Sequence, residues 1–167
     1  MRQSKVIRPW RNDRNPELAG YTGHLFEWEV LGECKVRASG YLRFRAAVEE
    51  VLSNQPHAPH NPPGEIGTFR RAVAVEMSER GFDPDRLRLY TAVGSTLDIY
   101  HHIDGFFFFE GVIVTMDTTI NPNKDQESCR ARILVTGEDA INGYKDVAVE
   151  IARCFERARN FDWKGVV

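Results

Sequence analysis

The stretch DGFFFFEGVIVTMDTT, residues 104–119, decides the reading of this chain. Two β-forming runs, FFFF and VIVT, flank Glu110-Gly111, and glycine tolerates the positive φ that a two-residue hairpin turn requires. That turn fixes the register. Phe109 faces Val112, Phe108 faces Ile113, and each further pair steps outward by one, so Asp104 comes to lie opposite Asp117. Cross-strand Cβ atoms at such positions stand about 5 Å apart. Like charges directly opposite destabilise a sheet, more so beside phenylalanines that keep water away. A shared proton, a neighbouring Arg or Lys, or a divalent cation such as Mg²⁺ (or Mn²⁺) would compensate, and the cation explains the pair most economically. The plainer alternative makes Asp104 a turn residue and Asp117 a solvent-facing one. Against it, Asp117 shares a face with Ile113 and Thr115 while Val112, Val114 and Met116 line the other.

Outward from the hairpin, RLRLYTAV (86–93) and ARILVT (131–136) have strand content, and the four strands are expected to form one central mixed sheet. Helical spacing predicts a helix over 24–37 through Leu25, Trp28, Leu31 and Cys34. A second is predicted over 41–52 through Tyr41, Phe44, Val48 and Leu52, and a third over 68–80 through Phe69, Val73 and Met77. Thr136-Gly-Glu-Asp139 resembles a capping box, after which Ile141, Tyr144, Val147, Ile151 and Phe155 predict one long helix to about Asn160. The fold class is therefore α/β (α+β), a sheet flanked by helices. The four-phenylalanine run places two rings on each face and reads as core rather than as a stacking platform.

Residues 1–20 read as an irregular N-terminal arm, and residues 21–167 as a single α/β domain. Within it, SNQPHAPHNPPGEIG (53–67) carries four prolines and reads as a surface loop. The 167 residues suffice to bury roughly two-thirds of the unfolded surface. Three cysteines without C-x-x-C spacing point to buried thiols, not a disulfide framework or zinc cage. No apolar run is long enough for a membrane span, and the first residues lack a signal-peptide centre, so a cytoplasmic protein is expected. A net charge of −2 neither requires nor excludes a nucleic-acid partner, DNA or RNA, and a homo-oligomer stays compatible with it. Nucleotide-binding and nucleophile-elbow glycine motifs are absent.

The run Gly94-Ser-Thr-Leu-Asp98, then Ile103-Asp104-Gly105-Phe-Phe, then Val114-Thr-Met-Asp117 through Lys124, resembles the core hairpin of the PD-(D/E)xK nuclease-like superfamily, over about residues 86–136. The resemblance implies a restriction-endonuclease-like fold and Mg²⁺-dependent hydrolysis of phosphodiesters, with Asp104 and Asp117 as metal-holding acids. It also implies a helix glutamate, for which Glu27 is preferred to Glu76; Asp98, six residues before Asp104, is either a further acid of the set or a loop or cap residue. Two features depart from the family pattern. Thr119 stands where the lysine should be, so the positive group falls to Lys124 or to Arg130 or Arg132, and only residues 121–130 separate the third and fourth strands, where the family has a helix. His102, or its neighbour His101, would contact phosphate or serve as a base. The competing class is a non-catalytic binding or assembly module that keeps the fold, and the missing lysine favours it.

Overall fold

The computed structural model describes residues 25–121 and 123–167, so the arm at 1–20 lies outside the described residues. Three strands, β1 (Arg88–Thr91), β2 (Gly105–Phe109) and β3 (Val112–Thr119), follow one another as an antiparallel meander. Glu110 and Gly111 both take positive φ, 48° and 87°, as a primed turn needs. Phe109 pairs with Val112 and Gly105 with Met116, the register the turn predicts. A fourth strand, β4 (Ile133–Thr136), runs parallel to β3 alongside Met116–Thr119, and a short β5 (Gly165–Val166) runs parallel to it at Val112 and Ile113. Two residues of β5 are too few for any periodicity to reveal.

Helices cover both faces. On one face Phe107, Phe109, Val112, Val114 and Met116 pack with Val30 and Leu31 of α1 (residues 25–31). The same core holds Phe69, Val73 and Met77 of α3 (Gly64–Glu79) and Val147, Ile151 and Phe155 of α6 (Lys145–Asn160). On the other face Phe106 packs with Ala47, Val48 and Val51 of α2 (Phe44–Leu52) and Leu97 of α4 (Thr96–His101). Phe106, Phe107 and Phe109 are buried and Phe108 is half-buried. Each buried ring contributes roughly 2–3 kcal/mol, which accounts for the run without a ligand.

Several predicted boundaries move. The helix predicted over 24–37 ends at residue 31, because Gly32 turns the chain with φ 71° while its N–H still closes on Trp28 O at 2.8 Å. The second helix starts at Phe44, and its buried face is Ala47, Val48 and Val51, leaving Tyr41 and Leu52 exposed. Small Ala47 lets α2 approach the sheet, a preference that counting large apolar residues overlooks. The third helix begins at Gly64, so the loop spans residues 53–63. That loop guards a sheet edge. Pro59 O accepts from Leu89 N–H at 3.0 Å, and the Gln55 amide brackets Thr91, accepting from its N–H and donating to its carbonyl, both at 2.9 Å. On the outer edge of β1, Leu89 N–H and both backbone groups of Thr91 are thereby satisfied.

The single terminal helix is in fact two, α5 (Gly137–Ile141) and α6, broken where Gly143 and Tyr144 take φ of 70° and 63°. The predicted capping box is present. Thr136 Oγ1 accepts from Asp139 N–H at 3.2 Å, and the Asp139 carboxylate accepts from Thr136 N–H at 2.7 Å. Thr136→Ala should lower stability by about 1 kcal/mol, read in a thermal melt as a drop of about 2–4 °C. An unchanged midpoint would mean that α5 does not depend on its cap. Between β3 and β4 the described residues hold turns and no helix. No helix among the described residues is long and apolar enough to cross a membrane.

Candidate metal centre

The site forms where the hairpin ladder ends. Asp104 is fixed by backbone bonds to both neighbouring strands: its N–H donates to Met116 O at 2.9 Å and its carbonyl accepts from Ala92 N–H at 2.8 Å. The regular pairing stops at Gly105 and Met116, so Asp104 and Asp117 are not a ladder pair, although both line the same cavity of about 550 Å³. One oxygen of Asp104 accepts from the N–H and the hydroxyl of Thr118, each at 2.7 Å. Thr118 therefore sets the orientation of that carboxylate, a role no sequence signal marked.

Asp98 reaches the cavity from the first turn of α4, where its carboxylate accepts from Gly94 N–H at 2.7 Å. Gly94 holds φ 83°, and a Cβ there would strike the Arg37 guanidinium, so glycine at this position serves the turn that delivers Asp98. Glu27 arrives from α1. One carboxylate oxygen each from Glu27, Asp98 and Asp104 lies within 4.8 Å of the others. Glu76, the other helix acid considered, is instead paired with Arg80 at 2.6 Å.

Asp117 plays a different part from the one expected. Its carboxylate accepts from Lys124 Nζ at 2.5 Å and, more weakly, from the Cys129 thiol at 3.6 Å. It stands beside the three-acid cluster rather than within it. Lys124 reaches back to this carboxylate from the turn after β3. His102 and Arg130 line this cavity too, whereas Arg132 opens onto a neighbouring one. His101 points elsewhere, with Nε2 at 2.9 Å from Leu42 O and its ring against Tyr41 and Phe44. All three cysteines are free thiols, and only Cys129 touches the site.

The electrostatics follow from burial. Asp104 is only 4% exposed, and desolvation first, then the charges of Glu27, Asp117 and Asp98, push its carboxyl well above the usual range despite the Thr118 hydrogen bond. Burial pulls Lys124 down, but the hydrogen bond and charge of Asp117, with Cys129 and Asp104, more than offset it and keep the ammonium protonated. Burial and then Asp117 push the Cys129 thiol up to about 11, so it stays a neutral donor. Four carboxylates share the cavity with Lys124 and Arg130. Hard oxygen donors of this kind suit Mg²⁺ or Mn²⁺, and an octahedral Mg²⁺ spans opposite ligands about 4.2 Å apart. The ligand oxygens of Glu27, Asp98 and Asp104, within 4.8 Å of one another, lie close to that span.

Compared with protein-family models, with curated proteins and with solved structures, the chain gives no match in any of the three.

Proposed function

We propose that this protein is a divalent-cation-dependent phosphodiesterase of nuclease type, acting on DNA or RNA through a restriction-endonuclease-like core. The observation that carries this reading is the convergence of Glu27, Asp98 and Asp104 from three separate elements, next to the Asp117–Lys124 pair in the same cavity. Glu27, Asp98 and Asp104 would hold the ion, which when bound supplies Lewis-acid polarisation of a phosphoryl oxygen. Hydrolysis forms one bond from water oxygen to phosphorus and breaks one P–O bond to the leaving sugar oxygen. Charge grows on the non-bridging oxygens as this happens, and preorganised cations stabilise it most. Lys124, held in place by Asp117, provides such a cation, while Arg130 at the cavity wall attracts the phosphate. A cytoplasmic setting suits three free cysteines.

A non-catalytic binding or assembly module is the second reading, and the engagement of Asp117 by Lys124 favours it, because that acid is already neutralised. Cleavage of a labelled oligonucleotide, run beside a thermal-shift titration with MgCl₂ and MnCl₂, separates the two. Ions that bind only the folded state stabilise it by about 2.7 kcal/mol at a hundredfold excess over Kd, a rise of about 5–11 °C for a chain of this size. Glu27→Gln and Asp98→Asn should each abolish most of that rise and reduce cleavage at least about 100-fold. A wild-type protein with neither a divalent shift nor cleavage would leave the module reading in possession.

A further inference from the structure

Strand β4 covers β3 at Met116–Thr119 and β5 covers it at Val112 and Ile113, which leaves a gap in the sheet edge beside Thr115. The Arg132 N–H reaches into it, donating to Thr115 Oγ1 at 3.0 Å. The gap opens into a hollow of about 780 Å³ whose charged lining is Arg130, Arg132, Arg153, Arg157 and a single acid, Glu150. Arg153 and Arg157 stand one turn apart on α6, a like-charge spacing that costs a helix stability. Elsewhere Arg37, Arg45, Arg80 and Arg86 pair with carboxylates, while Arg70, Arg71, Arg88 and Arg159 bond neutral oxygens of the chain. Among the described residues, the guanidinium groups of the four in the hollow have no carboxylate partner. In a chain of net charge −2, four arginines against one acid in a single hollow call for an anion.

The hollow continues at both ends. Arg130 also lines the acidic cavity, so the two depressions share a wall. At the other end Arg132 and Arg157 border a shelf formed by Phe161, 82% exposed, and Trp163, 41% exposed. Arginines take phosphates, and exposed aromatic faces take unpaired bases. A duplex keeps its bases stacked inside and offers no face to such a shelf.

We propose that the hollow and its shelf bind a single-stranded stretch of nucleic acid, with phosphates along the four arginines, bases against Phe161 and Trp163, and the strand leading past Arg130 to the acidic cavity. The destination of the strand rests on the phosphodiesterase reading; the binding track does not. Arg153, Arg157 and Phe161 are exposed, so variants at these positions are expected to keep the fold.

Fluorescence anisotropy of the full chain with a labelled single-stranded oligonucleotide of about 12 nucleotides, in EDTA, tests the track without any cleavage. The Arg153→Ala/Arg157→Ala double variant should weaken binding about tenfold or more near 0.1 M salt and reduce the slope of log affinity against log salt by about 1.4. Phe161→Ala should weaken single-strand binding about five- to tenfold with the slope unchanged. Duplex binding as tight as single-strand binding, or a double arginine variant indistinguishable from wild type, overturns the proposal. If Phe161→Ala spares oligonucleotide binding and instead lowers the sedimenting mass, the shelf joins two copies of the chain and the stacking claim fails. Arginine-dependent binding without cleavage by wild type would keep the track and remove the phosphodiesterase. Cleavage by a protein whose EDTA binding ignores the arginines would do the reverse.

Discussion

Asp104→Asn is expected to melt higher than wild type in metal-free buffer at pH 8, while losing its response to Mn²⁺ and its cleavage of phosphodiesters. Asparagine keeps an oxygen where Thr118 donates twice, at 2.7 Å from both its N–H and its hydroxyl. Its amide hydrogens would face the carboxylates of Glu27 and Asp98 in place of a third negative charge. Removing a buried like-charge contact from a functional site typically gains about 1–2 kcal/mol, which is about 2–8 °C for a chain of this length. The pH dependence gives the sign. The folded-state pKa of Asp104 is raised, so above the ordinary value near 3.8 the unfolded chain gives up its proton before the folded one does. Folding stability contributed by this group is therefore fully present below pH 4 and is lost as pH rises toward the folded pKa. The advantage of Asp104→Asn should vanish near pH 4 and grow with pH, whereas Mn²⁺ should rescue wild type increasingly over the same range because protons and cations compete for one carboxylate. A variant that melts lower than wild type at pH 8 would show that Asp104 is not held against its neighbours' charge.

The hairpin was legible because its cause is local. Glu110-Gly111 demands a particular turn, the turn sets the register, and the register carries Asp104 and Asp117 to one end of the sheet. The burial of the phenylalanine run was legible for a similar reason, since alternation alone assigns Phe107 and Phe109 to one core and Phe106 to the other. Composition of the acidic cluster was legible only as a set of candidates. Asp98 joins because the six-residue α4 folds the chain back before β2, and a helix that short has no periodicity to read. The sequence preferred Glu27 to Glu76 without a decisive signal, and the reason for the difference, which helix packs beside the ladder end, is a tertiary fact. The break before α6 was hidden because Tyr144 keeps the apolar rhythm while adopting a left-handed backbone, with its hydroxyl donating to Glu65 at 2.7 Å. Nothing in the sequence singles out Arg153 and Arg157, which come to share a hollow with Arg130 and Arg132 only through the tertiary fold.

Lys124→Ala is expected to reduce phosphodiester cleavage about 100- to 1000-fold while leaving Mn²⁺ binding nearly unchanged, the range seen when one preorganised donor to a transition-state charge is removed. The Asp117 side chain is 9% exposed, and among the described residues its only strong hydrogen bond comes from Lys124. Without the ammonium that carboxylate keeps just the distant Cys129 thiol, at 3.6 Å. Leaving a buried carboxylate without its partner costs about 3–5 kcal/mol in a dry interior, and less here because the lysine side chain is 31% exposed. A modest fall in melting temperature should therefore accompany the loss of activity, and Asp117→Asn in the same chain should recover much of it by removing the stranded charge. The double variant separates two roles. If Lys124 serves only to neutralise Asp117, cleavage returns together with stability. If the ammonium also meets the phosphate, stability returns and cleavage does not, and Lys124→Arg alone restores part of the rate by presenting a cation from the same position. Full activity in Lys124→Ala would assign the lysine to structure and move the search for the phosphate-facing cation to Arg130, which shares the cavity.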